Sequence, residues 1–271
     1  MKRHTNLIIC QALCLLLVGL LTSCGKASIG NGEDIPCDSI VADTTAAVID
    51  KANAPQCKIH INFKYLRGAK VQVVTDSLLR SGLLVPDYLS LLPKRLSVHQ
   101  ALHHFMAQYV SDYQRDGQLI LGEEPANDGL NWEYSVATSM KRYREGIIAY
   151  IGKIHTNEGG RHAIDQTVVR NIREKDGRIL SVNDLLVPGY AQTLLEKVVE
   201  ALADQFDTDG LEGLQSKNIF QGIEPYLPDN FIWGDGAIMF IYQCDEIAPH
   251  DMGEIAVTVR LKDKYTKTNN E

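Results

Sequence analysis

Little in this chain points to nucleic acid, to a familiar catalytic motif, or to a membrane span beyond its first residues. Its 27 basic residues are outnumbered by 34 acidic ones, for a net charge of −7. With no basic excess to neutralise phosphates, nucleic acid and anionic lipid headgroups are poor partners for the body of the protein. Gly-x-Ser-x-Gly, the phosphate-binding Gly-x-x-x-x-Gly-Lys, His-Glu-x-x-His and the dinucleotide-binding glycine fingerprint are all missing, which lowers the expectation of an enzyme built on them. Cys-x-x-Cys is missing too, against zinc ribbons and thioredoxin-like chemistry. No catalytic residue, cofactor or metal is therefore expected. What remains, 45% hydrophobic and 23% charged with 21 Gly and 9 Pro, is the make-up of an ordinary globular protein of one or two domains.

The first residues carry an address. Lys2, Arg3 and His4 precede an apolar run from Leu7 to Leu21, 15 residues broken by Gln11. A comfortable membrane span needs about 20 residues, whereas this run has the dimensions of a signal-peptide core. It ends in Leu21-Thr22-Ser23-Cys24-Gly25, which resembles a bacterial lipobox: a branched apolar residue, two small residues and the Cys that is cut free and acylated. Residues 1–23 are thus expected to be a lipoprotein signal peptide, with Cys24 the lipidated terminus of the mature chain. Loss of Lys2 and Arg3 leaves 25 basic against 34 acidic residues, a mature net charge of −9. No later apolar run is long enough to span, so the protein is expected to be held to the membrane by acyl chains alone. Gly25 is not the Asp that retains many lipoproteins at the inner membrane, which leans toward the outer membrane.

Three cysteines then remain in an oxidising compartment, Cys37, Cys57 and Cys244, and one disulfide plus one free thiol is the simplest expectation. Residues 24–56 are rich in Gly, Ser, Asn, Asp, Thr and Ala and read as a flexible tether. Order is expected from Cys57, where Ile59, Ile61, Phe63 and Tyr65 alternate with Lys58, His60, Asn62 and Lys64 as in a half-buried strand. Ser97 and Gln100 form a capping box for a helix whose apolar face is Val98, Leu102, Phe105, Tyr109 and Tyr113 and which should stop at Gly117. A second helix is expected over 191–206. Around them the pattern is β: strands at 132–138 and 147–154, hairpins around Asp176-Gly177 and Gly234-Asp235-Gly236, and a last strand from Ile255 to Leu261. Helices and hairpins in blocks predict an α+β fold with a largely antiparallel sheet and packed helices. A small α+β N-terminal domain is assigned to 57–125 and a larger domain to 130–262.

Each ionisable cluster also has a plainer account. His99, His103 and His104 fit the wet side of a helix better than a metal site. Asp207, Asp209 and Gly210 lack the further ligands of a calcium loop and fit a helix-ending turn. Asp245, Glu246, His250 and Asp251 are the densest ionisable group in the C-terminal half, able in principle to do acid-base work, yet Pro249 and Gly253 mark a turn, where polar residues are ordinary. Gly159-Gly160-Arg161-His162 allows an unusual backbone path or a close approach of another segment.

Trp132-Glu133-Tyr134, Gly159-Gly160-Arg161-His162, Val168-Val169-Arg170-Asn171-Ile172, Asp176-Gly177-Arg178 through Asp184-Leu185, Asp229-Asn230-Phe231 and Glu246-Ile247-Ala248-Pro249-His250 occur in one order. In that order they resemble a bacterial domain family of unassigned function, found in the extracellular part of the anti-sigma factor RsiV, a lysozyme receptor, and in the non-catalytic N-terminal part of the peptidoglycan deacetylase PdaC. Two positions depart from it: Arg161 stands where Ala is usual and His250 where Tyr is common. The resemblance implies an RsiV-like sensor or accessory module on a lipid anchor, binding a lysozyme-like envelope protein or a glycan such as peptidoglycan. Gly160, Arg161, His162, Glu246, His250 and Asp251 are its candidate ligand-binding loop residues. The alternative is an envelope hydrolase or metal-dependent enzyme with its site in the same 160–162 and 246–251 loops.

Overall fold

Alternation of apolar and polar residues from Cys57 onward forms a strand because one face is buried and the other is wet. A computed structural model of the protein describes residues 27–66, 72–90, 92, 95–121, 128–159 and 162–267. The signal segment and Cys24 lie outside the described residues. The alternating segment is β3 (Gln56–Tyr65), and Cys57, Ile59, Ile61 and Phe63 are its buried set. It belongs to a seven-stranded sheet with β1 (Glu33–Asp34), β2 (Asp38–Ala47), β4 (Trp132–Arg144), β5 (Ile147–Asn157), β6 (Ile164–Arg173) and β7 (Ile179–Leu180). The order is β2-β3-β4-β5-β6-β7, with β1 paired to the far end of β4. Every pairing is antiparallel except β3 with β4. A parallel pair needs a crossover, and it is made by α1 (Gln72–Leu79) and α2 (Val98–Leu121). The capping box at the start of α2 is present: Gln100 N–H donates to Ser97 Oγ at 3.3 Å, and Ser97 N–H to Gln100 Oε1 at 3.1 Å. Leu102, Phe105, Tyr109 and Tyr113 of α2 pack on Ile59, Ile61, Phe63, Tyr134 and Val136, the first core.

Three expectations about elements and boundaries are corrected. The helix does not stop at Gly117, because Gly117 is a packing residue: a Cβ there would stand 2.4 Å from Val48 Cγ2. Residues 24–56 are not a tether throughout, since β2 pairs with β3 over ten residues, Asp38 opposite Tyr65 through Ala47 opposite Gln56. An edge strand needs few large apolar residues, so composition hid it. A domain boundary at 125–130 is also crossed by the sheet, which joins β3 directly to β4.

The second layer is a three-stranded antiparallel sheet, β8 (Phe231–Gly234), β9 (Ala237–Tyr242) and β10 (Ile255–Arg260). The helices α3 (Val182–Leu185), α4 (Ala191–Gln205) and α5 (Gly210–Ser216) complete this half. Leu194, Val198 and Leu202 of α4 and Leu214 of α5 meet Trp233, Ile238, Phe240, Val257 and Val259 in the second core. Ala149 and Val169 of the large sheet touch Ile232 and Ile241 of the small one. Beyond β7 the edge of β6 would be bare, and side chains cover it. Asn230 accepts from Val169 N–H at 2.7 Å and donates to the Thr167 carbonyl at 2.7 Å. Gln243 donates to that same carbonyl at 2.7 Å, and Glu254 accepts from Thr167 N–H at 3.1 Å.

Cys37, Cys57 and Cys244 are all free, so the expected disulfide does not form. Cys37 precedes β2 at the end opposite Tyr65, whereas Cys57 pairs with Ala46 at the other end of the ladder. Eight strand residues separate those ends, roughly 26 Å at about 3.3 Å each, while a disulfide requires Cα atoms within about 7 Å.

Candidate functional site

Register across the large sheet builds a row of polar side chains on the face away from α2. Asp43 of β2 lies opposite His60 of β3, His60 opposite Ser135 of β4, Ser135 opposite His155 of β5, and His155 opposite Asp165 of β6. Cross-strand partners share a face, so the five form one Asp-His-Ser-His-Asp ladder. Its two ends are closed by hydrogen bonds, His60 Nδ1 to Asp43 Oδ1 at 2.6 Å and His155 Nδ1 to Asp165 Oδ1 at 2.8 Å. Above the ladder stands the β9–β10 turn. Between them is a cleft of about 570 Å³, lined among others by His60, Ser135, Lys153, His155, Cys244 and His250.

The turn brings three chemically distinct groups together. His250 Nδ1 is 3.2 Å from Cys244 Sγ and 2.8 Å from Asp245 Oδ2, and the thiol is 3.6 Å from that carboxylate oxygen. The hydrogen bond with His250 holds the Asp245 carboxyl below the usual carboxylate range, while burial, helped by the Asp245 charge, pushes the Cys244 thiol up. Both partners meet the same imidazole nitrogen. A nucleophile relay needs nucleophile and orienting carboxylate on opposite nitrogens, so this is not a Cys-His-Asp triad.

His162, from the β5–β6 hairpin, places its ring centroid 4.9 Å from that of His250, so those two loop candidates do converge. Gly160 and Arg161 lie outside the described residues. Glu246 is a clamp: Oε2 accepts from Gln243 N–H at 2.6 Å and Oε1 from the Tyr226 hydroxyl. Burial and that bond raise the Tyr226 phenol above its ordinary range. Asp251 is exposed on a 3-10 turn and is not among the three converging ligand atoms. Gly159 has φ +73°, and a Cβ there would stand 1.5 Å from the Gly129 carbonyl, so the close approach its glycines allow is to the chain's own 128–130 turn. Cys244 escapes sequence reasoning because it counts among the disulfide candidates, although its spacing to Asp245 and His250 within one turn is a usable signal. The ladder leaves no such signal, because register is a tertiary property.

A second concavity, about 640 Å³, lies between α4 and α5. Leu195, Val199, Ala203, Leu211 and Pro225 give it an apolar floor. Glu196, Glu200, Asp204, Asp209 and Glu224 ring it, and among the described residues no Lys or Arg lines it. Sequence reasoning misses it because its carboxylates come from two helices and the loop after them.

Residues 183–262 match a family model described as "Protein of unknown function (DUF3298)". Two solved structures of proteins from that family share the fold. A Bacteroides fragilis member is 19% identical with a TM-score of 0.75, covering 88% of this chain and 96% of that one. A Pseudomonas aeruginosa member is 16% identical with a TM-score of 0.53, covering 84% and 92%. No curated protein matches the chain. Among the described residues no helix is long and apolar enough to cross a membrane.

Proposed function

We propose that this protein is a non-catalytic, lipid-anchored cell-envelope module that binds a cationic envelope-acting protein of the lysozyme kind through the groove between α4 and α5. The observation that carries this reading is the lining of the groove: five carboxylates around an apolar floor, with no basic residue among the described residues that line it. A basic protein with an apolar patch satisfies both at once, whereas a glycan would meet carboxylates that give it no ion pair. The mature net charge of −9 speeds the encounter. The sequence resemblance to the RsiV and PdaC modules supports the same class of role, and Leu21-Thr22-Ser23-Cys24 supports the anchor, with Gly25 favouring the outer membrane.

The groove takes the place of the 246–251 loop as the recognition surface because Glu246 is committed to Tyr226 and Gln243. The hydrolase alternative is disfavoured because Cys244 and Asp245 meet the same imidazole nitrogen of His250, and burial pushes the thiol up where a nucleophile would need it lowered. Exposed ion pairs contribute only about 0–1 kcal/mol each and are screened by salt, so a specific complex must also use the apolar floor. Surface plasmon resonance of the full chain against lysozyme, at about 0.15 M and about 0.5 M salt, tests this with an unrelated basic protein as control. Saturable lysozyme binding that survives in part at high salt supports the reading. Binding no better than the control, vanishing with it at high salt, overturns it.

A further inference from the structure

The β9–β10 turn carries a site that the groove does not use. We propose that Cys244, Asp245 and His250 together hold a divalent transition-metal ion of the zinc class, with a coordination position left open toward the cleft over the polar ladder.

Three observations carry this. First, the ligand atoms converge on one point: Sγ to Nδ1 is 3.2 Å, Nδ1 to Oδ2 2.8 Å and Sγ to Oδ2 3.6 Å. Around a tetrahedral zinc ion with bonds of about 2.0–2.3 Å, the edges between ligand atoms are roughly 3.3–3.6 Å. The side chains therefore need to part by only a few tenths of an ångström. A single cation takes the place of the protons that now bridge sulfur, nitrogen and oxygen, and those protons leave to solvent. Second, the donor set selects the metal. A thiolate beside an imidazole favours zinc-class ions, whereas calcium and magnesium require a shell of oxygens.

Third, the turn is held independently of any ion, which keeps the donors in place. Gln243 N–H and the Tyr226 hydroxyl are both tied to Glu246, and Gln243 Nε2 anchors the turn to the Thr167 carbonyl on β6 at 2.7 Å. Cys244 and His250 themselves line the cleft with His60, Ser135, Lys153 and His155, and His162 flanks the cluster. An ion here would face a space large enough for a small ligand. This site is distant in role from the acidic groove, so its failure would leave the proposed partner untouched.

The test uses Co²⁺ as a spectroscopic probe on the reduced, metal-free full-length protein, followed by displacement with Zn²⁺. One equivalent of Co²⁺ is expected to give a thiolate-to-cobalt band that one equivalent of Zn²⁺ removes. Cys244→Ser should abolish the band and Cys37→Ser should leave it. His250→Ala should weaken binding by more than the roughly ten- to hundredfold cost of losing an outer-shell partner. Should a variant fail to fold, zinc-edge X-ray absorption of the unmutated protein decides: one sulfur neighbour near about 2.3 Å with nitrogen and oxygen near about 2.0 Å is required. A band that persists in Cys244→Ser, a band indifferent to His250→Ala, or a sulfur-free zinc shell overturns the site.

Discussion

Asn171 of β6 and Asn230, just before β8, each use a side-chain amide to complete the other segment's backbone. Asn171 donates to the Phe231 carbonyl at 2.7 Å and accepts from Trp233 N–H at 3.2 Å. Asn230 answers by bonding Val169 N–H and the Thr167 carbonyl. The exchange ties the two sheets together where the apolar contact between them is small.

Asn171→Leu should therefore cost about 2–6 kcal/mol, because two buried backbone groups lose their partners and each unmade bond costs about 1–3 kcal/mol. Urea unfolding midpoints check this. A midpoint within error of the parent would mean that water replaces the amide and that the exchange adds little to cohesion.

Gly159→Ala should be more damaging than Gly236→Ala, although both glycines have positive φ, +73° and +68°. At Gly236 nothing lies within 4 Å of the added Cβ, so only backbone strain of roughly 1–2 kcal/mol is felt. At Gly159 the Gly129 carbonyl blocks the Cβ outright, so the 128–130 turn must also move. Equal thermal midpoints for the two variants would contradict that packing.

The hairpins and both long helices are legible in the sequence, because their apolar period and their turn glycines are local signals. The polar edge strand β2 is not, since pairing with β3 along its whole length does for it what apolar residues do for a central strand. The parallel β3–β4 pairing is hidden for a different reason: the partners are brought together by a crossover of two helices, and nothing in either strand marks the other. Of the loop candidates, His162 and His250 do meet, while Glu246 looks like a binding carboxylate and is a clamp. The groove requires tertiary structure, because its carboxylates come from two helices and the loop after them, whereas Cys244 has a local signal in its spacing to Asp245 and His250.

Burial, and then the charge of Glu158, push the Cys57 thiol up to about 12. Below its unfolded value of about 8.5 the thiol is protonated in both states and its contribution is fully present. As pH rises from there toward about 12, the unfolded chain ionises first and stability falls by up to about 1.4 kcal/mol per pH unit from this group. Urea midpoints at rising pH should decline less steeply in Cys57→Ala. At about pH 8, just below the ordinary thiol range, iodoacetamide should label half-buried Cys244 well before fully buried Cys57; labelling in the reverse order would contradict the burial.

Under the proposed lipid anchor, Cys24→Ala should abolish incorporation of a palmitate analogue and leave the precursor uncut, since in a lipobox the acylated Cys is also the cleavage signal. Unchanged labelling would remove the lipid anchor from the proposed function.

The central claim is that the acidic groove recognises a cationic protein, and one comparison tests it most directly. Glu200→Lys combined with Asp204→Lys reverses two rim charges one helical turn apart on α4 without touching the apolar floor. The affinity of the full chain for lysozyme, measured by surface plasmon resonance at about 0.15 M salt, should fall by about tenfold or more, a loss of about 1.4 kcal/mol. The same measurement on His162→Ala should show no change. An undiminished affinity in the charge-reversed protein, or a loss confined to His162→Ala, would contradict the groove as the binding surface.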